Sequence, residues 1–347
     1  EDLEHLKVDI LANRGLSQLL EIDPNTRLDA YPKQDERVAD LLCRGDVLGV
    51  TQGESPTMKR LFRALQPTGV EDCVFASALV RPVAMEGRRK ASWFRDWSEK
   101  GIQKNAIVYE DDAIHKIMKL IGISPYEADM YRRAFAKKNE EKMMQFMARL
   151  GDHPDKHDIY EQMQSLSGFG LCRAHAVNLG RLIWALAYHK VYNPKEFWRA
   201  CLKHCQGSYA RWVYRNEAKR AGWDLRELGF DNWITEDPVE SFKQYGAWNS
   251  PGFLPNMGLQ NLFLDKFQFA GIVANSRVFK SDSKNYIHFI TLGVGEGRYV
   301  DLVVDRPVKY ARDSVVVGEG QMWTKDNSNY LKVKRKNVRA MPIDQYA

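Results

Sequence analysis

The chain has 347 residues, 44% of them hydrophobic and nine of them tryptophan, which is enough apolar surface for two or three packed domains and excludes a disordered chain. Its formal charge of +6 and pI near 8.9 suit a nucleic-acid partner without requiring one. Five cysteines without a repeated C-x-x-C pair exclude a disulfide scaffold, and the absence of a signal-like start or of any run of transmembrane length leads us to expect a cytoplasmic protein with no membrane partner.

The opening LKVDILA alternates as a short strand, with Val8 and Ile10 on one face and Lys7, Asp9 and Leu11 on the other, and runs into a helix. Taken alone, Asp9 reads as a turn or cap residue. Beyond the Asp23-Pro24-Asn25 loop, residues 35–43 read as a helix closed by Arg44-Gly45. A short apolar strand is expected at 47–50. Ser55-Pro56 then opens a helix with a basic exposed face, Lys59, Arg60 and Arg63, which stops before Pro67. Residues 70–82 are apolar and expected to be buried, whereas 86–104 reads as a charged surface loop carrying Arg88, Arg89 and Lys90. Glu110, Asp111 and Asp112 precede a helical apolar spacing. Three consecutive acids suit a helix N-terminus, where the dipole favours negative charge, or a metal site.

Residues 124–138, SPYEADMYRRAFAKK, carry the strongest helix start in the chain: Ser124, Pro125 and Glu127 occupy the cap, first-turn and capping-box positions. Ala128, Tyr131 and Phe135 give this helix an apolar stripe, and Arg132, Arg133, Lys137 and Lys138 place four positive charges within two turns. Two readings stay open from spacing alone, a solvated basic face or a cradle for polyphosphate or nucleic-acid backbone.

Further on, Gly168-Phe169-Gly170 allows a tight turn, and the helix after it should bury Leu179, Leu182, Ile183 and Leu186. Arg173 and His175 in its first turn work against the dipole, as an anionic or base ligand would explain. Two more helices, at 193–205 and 208–221, complete a mainly helical region; Cys201, His204 and Cys205 read as core packing, and no structural metal is expected. Residues 223–265 read as an irregular connector. Five strand-like runs follow, at 267–279, 286–293, 298–305, 314–323 and 330–336, which suggest a small barrel of the OB type. Lys332, Lys334 and Lys336 alternate on the last of these, as a phosphate-tracking edge or as protection against edge pairing. The fold class is therefore multi-domain α + β, with mainly helical domains followed by a five-stranded barrel.

In their order, KVDIL, VTQGESPTMKRL, ALVRP, IVYEDD, EADMYRRAFAKK, SGFGLCRAHAVNLG and YNPKEF resemble successive motifs of the alpha subunit of bacterial DNA polymerase III, the C family of replicative polymerases. The resemblance implies four parts: the end of a palm with its last carboxylate strand at 1–22, fingers at 23–222, a connector at 223–264 and an OB domain at 265–341. It also implies template-directed nucleotidyl transfer at two Mg2+ ions, on primer-template DNA and a dNTP. By the same resemblance Asp9 is a metal ligand and Lys7 faces the triphosphate. Arg132 and Arg133 meet the phosphates, and Arg173 and His175 are candidates to line the nucleotide pocket. From their own charge and position, Lys137 is a further candidate for the phosphates, and Lys59, Arg60, Lys332, Lys334 and Lys336 are candidates for DNA contact. The family's D-x-D palm element occurs nowhere in this sequence, and one carboxylate cannot hold two metals. Catalysis is therefore expected to need a second polypeptide or an N-terminal region that supplies that element. A sliding clamp is a further possible partner, with 259–263 as the nearest peptide, and the place of action would be the nucleoid or a viral replication site. The alternative is a non-catalytic DNA-binding or clamp-associated accessory built on the same scaffold.

Overall fold

The computed structural model describes residues 13–80, 108–165, 171–204, 207–230, 258–263, 266–280, 286–294, 298–310, 314–325 and 328–342. Lys7 and Asp9, the basic run at 88–90 and the Gly-Phe-Gly turn at 168–170 lie outside them. The chain divides into two compact units, one formed by Glu1–Thr26, Leu48–Thr51 and Tyr192–Ala347, the other by Arg27–Val47 and Gln52–Val191.

The second of these units is helical. Its helices start where side-chain acceptors meet unpaired N–H groups. Asp35 accepts from Val38 N at the head of α2 (Glu36–Cys43), after α1 (Arg14–Ile22) of the other unit, and Ser55 accepts from Met58 N at the head of α3 (Pro56–Leu65). Helix α4 (Val70–Leu79) is buried on all sides apart from Glu71 and Asp72, as its composition requires. There follow α5 (Glu110–Ile121), α6 (Pro125–Ala136), α7 (Glu140–Arg149), α8 (Lys156–Ser165) and α9 (Arg173–Tyr192). Ala113, Ile117, Ala128, Phe135, Phe146, Ile159 and Met163 form one core across α5 to α8. A second cluster joins Val74 and Ala78 of α4 to Tyr109, Leu171 and Ala176. Along α9 every residue from 182 to 187 is buried, and Trp184 donates its indole N–H to Pro32 O at 2.7 Å. Gly180 allows that helix to touch α4, because a Cβ there would lie 2.5 Å from the Val74 backbone.

In the other unit, the strand expected at 47–50 is a tight turn instead. Gly49 takes φ +85° against the side chains of Phe197 and Cys201, and its carbonyl accepts from Gln18 Nε2 at 2.9 Å, while Thr51 Oγ1 donates to Gln18 Oε1 at 2.7 Å. Val47, Leu48 and Val50 are apolar because they are buried, not because they are extended. Helix α1 packs on α10 (Pro194–Lys203), and α11 (Arg211–Arg220) follows.

Among the described residues, seven strands complete this unit: β1 (Gly258–Phe263), β2 (Lys266–Lys280), β3 (Tyr286–Gly293), β4 (Tyr299–Val304), β5 (Ser314–Lys325), β6 (Ser328–Val333) and β7 (Val338–Pro342). β2 pairs antiparallel with β3, β3 with β4, β4 in parallel with β6, β6 antiparallel with β5, and β5 antiparallel with β2 again. That circuit returns to its start, so five strands form a closed ring in the pairing order of an OB fold. Phe269, Ile290, Leu292, Leu302, Val304, Val316, Leu331 and Val333 fill it. Two strands were not expected. β1 pairs with the first half of β2, inside the stretch read as irregular, and β7 pairs with the first half of β5. The last strand of the ring also ends earlier than its lysine alternation suggests, at Val333. Only Lys332 lies on it; Lys334 follows it, and Lys336 lies in a 3-10 turn, Arg335–Asn337.

Candidate phosphate and nucleic-acid sites

Helix α6 is capped as its sequence requires: Glu127 N donates to Ser124 Oγ at 3.3 Å and Ser124 N donates to Glu127 Oε2 at 3.2 Å. Ala128 and Phe135 enter the core, with Tyr131 packed beside them, which turns the opposite face outward. The two arginines then part company. Arg132 is held by two carboxylates, Asp129 Oδ1 at 2.7 Å from its Nε and Glu110 Oε1 at 3.3 Å from its Nη1, and its side chain is only 16% exposed. Arg133 is 65% exposed and meets Asp129 Oδ2 through its Nε at 2.7 Å. Partial burial works to raise the Asp129 carboxyl, but the hydrogen bonds and charges of Arg132 and Arg133 outweigh it and hold it below the usual aspartate value. Lys137 closes the helix, and Lys138 turns away in the left-handed region at φ +53°; both are exposed.

The acidic run at the start of α5 organises this site. Asp112 caps its own helix, accepting from Val108 N and Tyr109 N at 2.9 Å each. Its two neighbours reach out of the helix: Glu110 pairs with Arg132 of α6, and Asp111 Oδ2 accepts from Arg173 N at 2.7 Å at the head of α9. One helical turn therefore ties Arg132 of α6 to Arg173 at the start of α9, 41 positions further along the sequence. The guanidinium of Arg173 lies 5.7 Å from the centre of the Tyr109 ring, and burial drives the Tyr109 hydroxyl up to about 12. Arg173 and His175 are both exposed. Glu110, Asp111 and Tyr109 are members that the sequence reading missed; the signal was the acidic run itself, whose outward reach depends on what packs beside it.

Lys59 and Arg60 lie elsewhere in the helical unit, on α3, which packs with α2 and α4. Both are half-buried.

On the barrel, Gln321 pairs with Lys332 and Trp323 with Tyr330, so these four side chains share the outer face of the β5–β6 hairpin. Trp323 is 45% exposed, and the Lys332 ammonium lies 2.8 Å from its ring centre. Lys334 and Lys336 are exposed beyond the strand. A second outer platform went unnoticed in the sequence: Arg277 lies over the Phe279 ring at 4.7 Å, and Phe279 meets Phe289 edge-on at 5.4 Å. The alternation of Arg277 with Phe279 on β2, facing Phe289 on β3, was the available clue. Paired aromatics with a guanidinium above them are the chemistry of a base-stacking surface.

Residues 259–263, the clamp-peptide candidate, are part of β1, with their backbone paired to β2. No helix among the described residues is long and apolar enough to cross a membrane.

Comparison with known proteins agrees with the motif order. Residues 14–157 match the bacterial DNA polymerase III alpha subunit finger domain. The DNA polymerase III subunit alpha of Staphylococcus aureus (strain N315) is 28% identical over 289 residues, 74% of this chain and 27% of the relative. That of Staphylococcus epidermidis (strain ATCC 35984) is 30% identical over 232 residues, 58% of this chain and 22% of the relative. The chain thus spans about a quarter of the length of the curated relatives it matches. Over residues 14–157 the chain is therefore similar to the finger domain of the bacterial DNA polymerase III alpha subunit, and over most of its length it is similar to part of that subunit from two staphylococci.

Proposed function

We propose that this chain supplies the fingers and the nucleic-acid-binding barrel of a DNA-directed DNA polymerase of the C family, working with a palm that carries the D-x-D element. The observation that carries the reading is the first turn of α5, inside the matched finger region, which holds Arg132 of α6 through Glu110 and the head of α9, just beyond that region, through Asp111.

In this reading α6 offers Arg133 and Lys137 to the triphosphate of an incoming dNTP. Planar guanidinium groups suit that task because they bind phosphate oxygens bidentately and stay charged throughout. Arg173 and His175 flank the nucleotide from α9, with Tyr109 supporting Arg173. Lys59 and Arg60 contact duplex backbone, and the barrel grips single-stranded template through Lys332, Lys334, Lys336, Trp323 and the Arg277–Phe279–Phe289 platform. By the resemblance, Asp9 serves as a metal ligand and Lys7 meets the triphosphate.

The magnesium ions belong to the assembled enzyme. Among the described residues no three His, Cys, Asp or Glu side chains are grouped to hold a metal ion, and Asp9 alone could not supply the oxygen ligands that two cations need. In this reading the chain's part in the reaction is to position and neutralise the triphosphate.

Primer extension tests the reading. The chain, supplied with a polypeptide bearing the missing palm carboxylates, should extend a primer. Asp9→Ala should abolish extension, and Arg133→Ala should raise the KM for dNTP by about tenfold or more, as loss of a charge-assisted phosphate contact does. Failure of the completed enzyme to extend, or an Asp9→Ala variant of unchanged activity, would mean the enzymatic reading is wrong. Oligonucleotide binding without extension would then mark the chain as a DNA-binding accessory.

A further inference from the structure

Two arginines next to each other on α6 are held in different ways, and the difference has a consequence for how a phosphate ligand is admitted. Arg132 bridges two helices. Its guanidinium is matched by Asp129 of its own helix and Glu110 of α5, and only 16% of its side chain meets solvent. Removing a partner from such a pair leaves a poorly solvated charge uncompensated, so this bridge is a structural fixture. Arg133 is 65% exposed and is held by Asp129 alone among the described residues. Exposed pairs of this kind are weak, and a polyphosphate carrying several charges competes with a single carboxylate for the same guanidinium. Asp129 divides its two oxygens accordingly, Oδ1 to Arg132 and Oδ2 to Arg133.

Resting on the reading that α6 faces the triphosphate, we propose that Asp129 is a built-in stand-in for phosphate: anchored by Arg132, it holds Arg133 until the ligand's phosphate oxygens displace it. Asp129, Arg132 and Glu110 are then positioning residues, and Arg133 is the guanidinium that meets the ligand. The arrangement keeps Arg133 from sampling many rotamers before the ligand arrives, and it makes the ligand compete with an anion for its place. Asp129 therefore lowers affinity while it preorganises the site, which a purely structural carboxylate would not do.

The test uses the full 347-residue chain and two probes, inorganic tripolyphosphate and dATP, each with Mg2+. Asp129→Asn should tighten binding of both about two- to fivefold, the range set by the strength of an exposed ion pair. Arg133→Ala should weaken it by about tenfold or more. In the Arg133→Ala background, Asp129→Asn should bring no gain, because the gain acts through Arg133. Asp129→Glu, which keeps the carboxylate, should bind as the parent does. Should Asp129→Asn disturb the helix, nitrogen-detected NMR of the unaltered chain gives the same answer: tripolyphosphate should shift the Arg133 Nε–H resonance and leave that of Arg132 in place. Weaker binding by a folded Asp129→Asn, a gain that persists without Arg133, or an Arg132 resonance that moves as far as that of Arg133 would each overturn the proposal while leaving nucleotide binding intact. If the unaltered chain binds neither probe, the nucleotide reading of α6 fails and the proposal falls with it.

Discussion

His288 sits inside the barrel, 2% exposed, where its Nδ1 accepts a hydrogen bond from Val308 N at 3.0 Å and its ring stacks on Tyr310 at 5.9 Å. Its Nε2 lies 3.4 Å from Ser276 Oγ, to which the Tyr310 hydroxyl also donates. An imidazole that accepts at Nδ1 is neutral, and burial pushes its pKa below the ordinary 6.5. The sign follows from which state takes up the proton. The unfolded chain protonates near 6.5 while the folded barrel resists, so stability is full above that pH and is lost as pH falls through the lower folded value. Denaturation midpoints taken at pH 7.5 and 5.5 should therefore drop in the parent chain and change less in His288→Gln. His288→Ala should cost about 1–3 kcal/mol at neutral pH, the penalty for leaving the buried Val308 N–H unpaired.

Helix packing depends on single positions of close approach. Gly180 on α9 faces the backbone of Val74 on α4, and an added methyl would have to displace main chain. Gly180→Ala removes a helix-weakening glycine, worth up to about 1 kcal/mol in favour. Overpacking against backbone costs about 1–3 kcal/mol, so the net effect should be a lower melting temperature, readable by circular dichroism. The signals that start helices were legible because they are local: Asp35, Ser55 and Ser124 each accept from an N–H three residues on, whatever packs later. At 47–50 the same kind of reading failed. An apolar tetrapeptide is buried equally well as a strand or as a turn, and the positive φ of Gly49 against Phe197 and Cys201 decided for the turn.

For the molecule as a whole, the barrel's two outer platforms make separable predictions about single-stranded DNA. Arg277→Ala and Lys332→Ala should each weaken oligonucleotide binding and flatten its salt dependence by about 0.7 in the log–log slope, as expected for one lost phosphate contact. Phe279→Ala and Trp323→Ala should each cost about 1–3 kcal/mol of affinity and leave the slope unchanged, because stacking releases no counterions. Fluorescence anisotropy titrations across a salt series would distinguish the two sets. An equal loss of slope in all four variants would mean that the aromatics serve only to hold the cations in place.

By itself the sequence determined what local chemistry controls: helix starts at capping residues, the burial of α4 from Cys73 onward and of residues 182–187 in α9 through their apolar runs, and the five strand runs that build the ring. A resemblance to the family was legible from the order of the motifs, and the match over residues 14–157 agrees with it. Tertiary structure decided what depends on partners distant in the chain. Pairing between β2 and β5 closes the ring, and β1 and β7 exist as strands because β2 and β5 offer them open edges, which no alternation in 258–263 or 338–342 announces. The same holds at the phosphate site. Arg132 and Arg133 are equivalent as letters, but Glu110 on a neighbouring helix neutralises one and not the other, and an ion pair across two helices is a property of their packing.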